Sequence, residues 1–278
     1  ICKTYNRALP VWIKAKNICK VLSMDVVIDR GSLSQYARLF VSGDLPADLH
    51  RVLYLDCDVL VNASIRELWN LDLHGKTIGA LMDAFSRQYR SNINLQPDDI
   101  MFNSGVMLID LDKWKAQQIE EKLMKFIAGK RGKIQQGDQG ALNAVLSHDT
   151  YCFEPRFNSV TIYYDFSYDE MLVYRKPPKF YDREEIKKAA DSPVIIHFTT
   201  SFLSRRPWVE GCKHKYVDEW MKYKKMSPWA DKGLWKYNKA TGLKGLYIMI
   251  IEHMPRKIVI HLSGVLQAYG RPLWMKIR

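Results

Sequence analysis

The sequence predicts an α/β fold: a mostly parallel central sheet flanked by helices, continued by a basic helical extension at the C-terminus. Three observations carry that prediction. Short apolar runs of strand length alternate with segments of helical periodicity between residues 24 and 197. Val52-Leu53-Tyr54-Leu55 is apolar or aromatic at every position, the pattern of a strand covered on both faces, as in a parallel sheet between helix layers. Positive charge collects at one end: residues 205–278 hold 16 Lys and Arg against 5 Asp and Glu, nearly all of the formal +12. The expected boundaries are 1–210 for the sheet domain and 211–278 for the extension.

The elements follow in order. Apolar positions in 12–22 have helical spacing, and 24–28 reads as a short strand. Residues 34–40 form a helix, capped by Ser32 or Ser34 and closed near Gly43. After the strand at 51–55, a short helix covers 64–69, where Ser64 stands three residues before Glu67 as in a capping box. A strand at 77–82 runs into Asp83, and 86–101 is polar and irregular, a loop over a site. A strand at 102–111 is followed by helices at 112–128 and 137–146. Residues 150–192, rich in Tyr, Phe and Pro, give no clear assignment. A short strand at 193–197 ends in His197, 213–225 reads as a basic aromatic helix, and 243–268 is largely apolar, including the run 246–251.

Composition narrows the function. A chain of 278 residues that is 47% hydrophobic and 12% aromatic buries a substantial core and is not disordered. The five cysteines are scattered, without a C-x-x-C pair, which argues against a disulfide framework or zinc cluster and for a reducing compartment. No stretch has eighteen consecutive apolar residues and no signal-type segment opens the chain, so a cytoplasmic location is expected. The chain begins Ile1-Cys2-Lys3 without methionine, and an absent N-terminal strand is part of the expectation. There is no G-x-x-x-x-G-K-[ST] loop, no G-x-G-x-x-G after a strand and no G-x-S-x-G elbow, which argues against an NTPase, a dinucleotide enzyme and a serine hydrolase.

Asp56 and Asp58 stand where the strand 51–55 ends. Side chains two apart on an extended backbone project to one side, so both carboxylates converge while Cys57 turns away. Two hard oxygen anions at that spacing suit Mn²⁺ or Mg²⁺, cations that also take phosphate oxygens. His197, delivered by a second apolar run, completes a two-carboxylate, one-imidazole set that leaves positions open for a diphosphate. Arg205 and Arg206 are candidates to neutralise its phosphates. Asp83, Asn103, Asp138 and Gln139 follow apolar segments or open a helix, where polar side chains either line a cleft or serve as caps and turns.

These motifs resemble the family 8 glycosyltransferases, retaining enzymes of GT-A fold that use nucleotide-sugar donors and include bacterial lipopolysaccharide galactosyl- and glucosyltransferases. The resemblance spans about 30–212. Ser34-Gln35-Tyr36-Ala37-Arg38-Leu39 is similar to the family's S-x-Y-x-R-L helix, Arg51 to Val61 to its aspartate-containing strand, Phe102-Asn103-Ser104-Gly105-Val106 to its F-N-[AS]-G-V segment, and Asp138-Gln139 with Leu142-Asn143 to its D-Q-x-x-L-N helix. The family's H-x-x-G-x-x-K-P-W pattern becomes His197 to Trp208, three residues longer, without the glycine and with Arg206 in the lysine's place. The first strand and turn of the family are not recognisable in 1–23.

The resemblance implies Mn²⁺ on Asp56, Asp58 and His197, Arg38 and Arg206 beside the donor, and Asp83, Asn103, Asp138 and Gln139 around the donor sugar and acceptor. It implies transfer of a hexose from UDP-glucose or UDP-galactose to a hydroxyl of a cell-surface glycan such as lipopolysaccharide, with retention. A protein of the same fold that binds the nucleotide sugar or glycan without turnover is the alternative. For residues 211–278 an anionic membrane surface, at the inner face of the plasma membrane, and packing on the core are weighed equally. Nucleic acid is not an expected partner, since the basic residues lie on one tail without a recognised module.

Overall fold

The computed structural model describes residues 2, 6–27, 32–237, 241, 242, 245 and 253–277. One sheet has four strands, in the order β1 (Arg51–Leu55), β4 (Phe102–Asp110), β3 (Ile78–Met82) and β5 (Thr150–Cys152). A second has β2 (Val59–Val61), β7 (Ile195–His197) and β6 (Ser159–Val160). Helices flank the sheets, so the α/β class holds, but the pairing is mixed. Among the described residues β3–β5 and β6–β7 are parallel, while β1–β4, β3–β4 and β2–β7 are antiparallel. An all-apolar run reports cover on both faces, not strand direction. The buried strands of the four-stranded sheet are β3, along its whole length, and β4, along all but its last residue; β1 is half-buried.

The central position of β4 follows from its composition. Met107 and Ile109 pack into a core with Trp114, Tyr36 and Leu142, whereas Val106 faces a second core built on Phe153, Phe157 and Tyr163. Alternate residues of one strand thus serve both layers. At Ala80/Leu81 the β3–β4 register slips, Ala80 pairing with Met107 but Leu81 with Asn103. Such a bulge re-aims the side chains around it, here Asn103 and Ser104.

Several expectations shift for local reasons. Only Ile18–Leu22 of the stretch 12–22 is helical, because the Asn17 side chain accepts from the Cys19 and Lys20 amides and starts the helix there. Residues 24–27 form no strand; the Val27 amide bonds to Gly132 O at 2.9 Å instead, and Ile28 lies outside the described residues. Glu67 does not close a capping box with Ser64: it pairs with Arg156, and the helix is Arg66–Trp69. The helix expected over 112–128 is two, Leu111–Ala116 and Ile119–Gly129, broken where Gln118 takes φ +55° and Gln117 reaches Thr77 Oγ1 and Asp149. The stretch 86–101 includes the helix Arg87–Ser91.

The segment 150–192 contains helices at Tyr168–Arg175 and Arg183–Asp191, each opened by a full capping box, Ser167 with Glu170 and Asp182 with Glu185. Near the C-terminus Val217–Met226 is a helix, and Arg256–Val265, a π-helical turn at Leu266–Gly270 and Arg271–Ile277 run on continuously. The run 246–251 lies outside the described residues. The helix Arg256–Val265 crosses Tyr168–Arg175 closely at Gly264, where a Cβ would sit 2.6 Å from Val173 O. Arg256 holds Glu170 through two nitrogens at 2.8 and 2.9 Å. Among the described residues no helix is long and apolar enough to cross a membrane.

Candidate active site

The turn after β1 is fixed from two sides. The Asp56 amide donates to Gly105 O of β4 at 2.8 Å, and the Asp58 carbonyl accepts from the Phe198 amide at 2.9 Å. Because β2 pairs with β7 so that Val59 faces His197, the register alone brings Asp58 beside the histidine. His197 Nε2 lies 3.2 Å from Asp58 Oδ1 and 4.0 Å from Asp56 Oδ2. One ligand atom from each residue falls within 4.8 Å of the others, and Cys57 is exposed, turned away.

The histidine's tautomer follows from a buried chain of hydrogen bonds. It starts at the Gly105 amide, which can only donate, and which reaches Asn103 Oδ1 at 3.0 Å. Asn103 Oδ1 is therefore an acceptor, and takes a second bond from Asn158 Nδ2 at 2.9 Å. That orients Asn158 so that its Oδ1 meets His197 Nδ1, again at 2.9 Å. An acceptor opposite Nδ1 requires a proton there, so Nε2 is the nitrogen turned to the carboxylates: it donates to Asp58 Oδ1 when no cation is bound, and it is the one that would give up its proton to a ligand. An imidazole nitrogen and two carboxylates, all aimed at one point, form a donor set that fits a divalent cation once Nε2 is free of its proton. Gly105 belongs to the arrangement, since a Cβ would lie 2.1 Å from His197 Cε1.

A second group surrounds Arg38, which is buried on the 3₁₀ helix Leu33–Phe40. Its Nη2 pairs with Asp56 Oδ1 at 2.6 Å, its Nη1 donates to Ser104 O at 2.8 Å, and its Nε faces Asp138 Oδ2 at 2.9 Å. The last contact lacks hydrogen-bond alignment, so Asp138 Oδ2 has charge opposite it but no donated proton. Burial raises the Asp138 carboxyl, Arg38 opposes and Asp56 adds to the rise, and the outcome is about 6. At Asp58 burial also pushes upward, but the His197 hydrogen bond and the Arg206 guanidinium overcome it and hold the carboxyl at about 2.

Asp138 and Gln139 open the helix Asp138–Leu146, whose position on β4 is set by Asn143. Its side chain, fully buried, accepts from the Phe102 amide at 2.7 Å and donates to Phe102 O at 2.9 Å. Gly140 permits the approach behind it, since a Cβ would sit 1.9 Å from Gln135 O. Gln139 Oε1 accepts from the Ser104 amide at 3.2 Å, which leaves its amino group for a ligand. Asn103 Nδ2 completes the floor by donating to Asp83 Oδ2 at 3.4 Å.

A cleft of about 860 Å³ brings together all nine expected residues: Arg38, Asp56, Asp58, Asp83, Asn103, Asp138, Gln139, His197 and Arg206. The lengthened 197–208 segment forms one wall. Ser201 and Ser204 hydroxyls both donate to Asp165, and Phe202 packs edge-on against Phe166 and Tyr174. Those anchors accommodate the extra residues and present Arg206, whose Nη1 donates to Asp58 Oδ2. Arg205 also lines the cleft, with its guanidinium on the Tyr237 ring at 3.6 Å and donating to Glu210 O at 3.0 Å. Sequence reasoning missed Asn158, Asp165, Ser104 and Tyr54, whose hydroxyl donates to Asp56 Oδ1 at 2.8 Å. Each acts through another side chain, and only the fold makes that proximity visible.

The model of glycosyl transferase family 8 matches residues 3–211. The chain belongs to that family. General stress protein A of Bacillus subtilis is 33% identical over 183 residues, 65% of this chain and 60% of the relative. The lipopolysaccharide 1,2-glucosyltransferase of Escherichia coli K12 is 28% identical over 204 residues, 72% of this chain and 56% of that one. The chain thus matches little more than half the length of these family 8 relatives. The galactosyltransferase LgtC, solved with donor and acceptor sugar analogues, superposes with a TM-score of 0.62 over 77% of this chain and 74% of its own, at 24% identity. The family 8 chain therefore has the GT-A fold.

Proposed function

We propose that this family 8 chain transfers a hexose from a UDP-sugar, UDP-glucose or UDP-galactose, to a hydroxyl of a cell-surface glycan such as lipopolysaccharide. The observation that carries the reading is the convergence of Asp56, Asp58 and a His197 that turns Nε2 to both carboxylates in a cleft walled by Arg206. In the net reaction the bond from the anomeric carbon to the diphosphate oxygen breaks, its electron pair leaving with UDP. A new bond forms to the acceptor oxygen, whose proton is released.

Asp56, Asp58 and His197 would hold Mn²⁺ or Mg²⁺, which supplies Lewis-acid stabilisation where negative charge develops on the leaving diphosphate. Arg206, now on Asp58, is placed to share itself with a phosphate, and its guanidinium fork replaces the family's lysine without loss of charge. Arg38 holds Asp56 and Asp138 in register. Gln139, Asp138, Asn103 and Asp83 line the floor on which the sugar and acceptor hydroxyl meet, with retained stereochemistry as the expected outcome.

The cheap discriminator is a screen of UDP-sugars with Mn²⁺ for release of UDP and transfer to glycan acceptors. Release from UDP-glucose or UDP-galactose is expected. UDP-sugar binding without release would move the reading to a non-catalytic nucleotide-sugar binder.

Residues 211–278 are proposed to rest on an anionic membrane surface while their other face packs on the core. Ile258, Leu262, Leu266, Leu273 and Trp274 are exposed along the last helical stretch, with Lys257 and Lys276 on the same segment. Flotation with phosphatidylserine vesicles is expected for the full chain and should be lost in a Leu266→Glu/Leu273→Glu variant; equal flotation of both removes the proposal.

A further inference from the structure

The cleft continues beyond the residues that the donor requires. Past Asp83 the chain folds back, the Phe85 amide bonding to Asp83 O at 3.0 Å. Two residues of chain span at most about 7 Å, so Phe85 stands about one sugar ring from the reaction floor. The wall there is completed by the end of the helix Tyr168–Arg175 and by Gln267 and Arg271. The last two lie outside the segment 3–211 that matches the family. They are seated firmly: Ser86 Oγ donates to Ala268 O at 2.6 Å, and the Tyr89 hydroxyl donates to Gln267 O at 3.0 Å.

Arg175 is the unusual group of this end. Its guanidinium lies 5.9 Å from the Phe85 ring and 5.2 Å from the Tyr174 ring, and its buried Nε has no hydrogen-bond partner. Among the described residues no carboxylate pairs with it. An arginine stays ionised at every physiological pH, and leaving a buried donor of a charged group unmet costs free energy. At the donor end the balance is different, since Arg38 and Arg206 are neutralised by Asp56, Asp138 and Asp58. The counter-charge of Arg175 has no source within the described chain, yet the group lines a cleft open to ligands.

We propose that Phe85, Tyr174, Arg175, Gln267 and Arg271 form an acceptor subsite for a sugar carrying an anionic substituent, a phosphate or a carboxylate, and that the anion sits on Arg175. The apolar ring faces of Phe85 and Tyr174 suit the C–H face of a pyranose, and Gln267, whose Nε2 donates to the Tyr89 hydroxyl at 3.0 Å, offers its side-chain carbonyl to sugar hydroxyls. The proposal rests on reading the Asp56–Asp58–His197 end as the donor site. It gives the C-terminal extension a second role, selection of the acceptor.

The test uses the full chain with Mn²⁺ and UDP at saturation, so that the donor end is filled. Glucose 6-phosphate, glucuronate and glucose are then titrated by calorimetry. At least one anionic sugar is expected to bind about ten-fold or more tighter than glucose, and which one does so distinguishes phosphate from carboxylate. In Arg175→Gln that ratio should fall to near one, and in Arg175→Lys, a point charge without the fork, to an intermediate value. Equal binding of all three sugars by the unmodified protein, or an unchanged ratio in Arg175→Gln, overturns the proposal. Arg175→Met, which keeps the apolar stem between the two rings, is a second variant with the same expected ratio if Arg175→Gln does not fold. Failure of UDP to bind before any sugar is added would be a failure of the donor reading. The sugars are then titrated alone, and the same ratio decides the subsite by itself.

Discussion

Asn158 Oδ1 lies 2.9 Å from His197 Nδ1, and the orientation of that amide is dictated, through Asn103, by a backbone amide two residues further along β4. The imidazole is thereby held with Nδ1–H on the amide and Nε2 turned toward two carboxylates, where a cation would replace the Nε2 proton. Replacing Asn158 by Leu is expected to weaken Mn²⁺ binding about 10–100-fold, read by calorimetry on protein whose circular dichroism is unchanged. Asn158→Asp, still an acceptor for Nδ1, should retain more of the affinity. Equal Mn²⁺ binding in the Leu variant and the unmodified protein would contradict the chain of hydrogen bonds.

Gly105 is expected to tolerate no side chain. A Cβ there meets His197 Cε1 at 2.1 Å, His197 Nδ1 at 2.8 Å and Asp56 Oδ2 at 2.9 Å. Both groups are held by buried partners and cannot simply rotate away. Gly105→Ala should cost about 1–3 kcal/mol of stability, as overpacking does, together with metal affinity. Urea unfolding and Mn²⁺ titration of the same preparation check both; an unaltered midpoint and affinity would show that His197 is free to move.

The Asp138 carboxyl, raised by burial from 3.8 to about 6, makes a signed prediction. A group whose folded value lies above its unfolded value contributes stability below the unfolded value and loses it as pH rises through the folded one. The unmodified protein should therefore lose stability relative to Asp138→Asn as pH climbs from about 4 to about 6. Urea unfolding at a series of pH values in that window gives the two curves, which converge or cross if the account holds. Parallel curves would place Asp138 in a more solvated setting than the structure shows.

Glu170 predicts the opposite sign. Its hydrogen bonds from Arg256, against a smaller upward push from burial, hold it at about 2 instead of 4.5. Its contribution is present above about 4.5 and is lost as pH falls toward 2. Since the pair is partly exposed, about 0.5–1 kcal/mol is at stake. The protection of amides 256–265, taken relative to the intrinsic exchange rate at each pH, should fall on acidification across that window in the unmodified protein, and be lower but flatter with pH in Glu170→Gln. Identical protection in the two would mean that Gly264 packing alone docks the helix.

The site was legible in the sequence where chemistry interrupts an apolar run. Asp56, Asp58 and His197 each end such a run, and Asn103 and Asp138-Gln139 carry motif neighbours whose purpose the fold explains: Gly105 spares room for the imidazole, and Asn143 clamps Phe102. What periodicity could not convey was strand direction, so a mixed sheet was read as mostly parallel. The S-x-x-E and D-x-x-E signals at Ser167 and Asp182 were present but hidden among aromatic residues that suit strands as well as helices. Asn158 was out of reach, because its only distinction is to face His197 across 39 residues of chain.

Asp56, Asp58 and His197 are proposed to work together on the diphosphate of a UDP-sugar. The most direct measurement is UDP release from UDP-glucose or UDP-galactose in Mn²⁺, repeated in excess chelator and with Asp58→Ala. Release is expected to fall by at least about 100-fold in both cases. Undiminished release in chelator, or full activity of Asp58→Ala, would contradict the proposal.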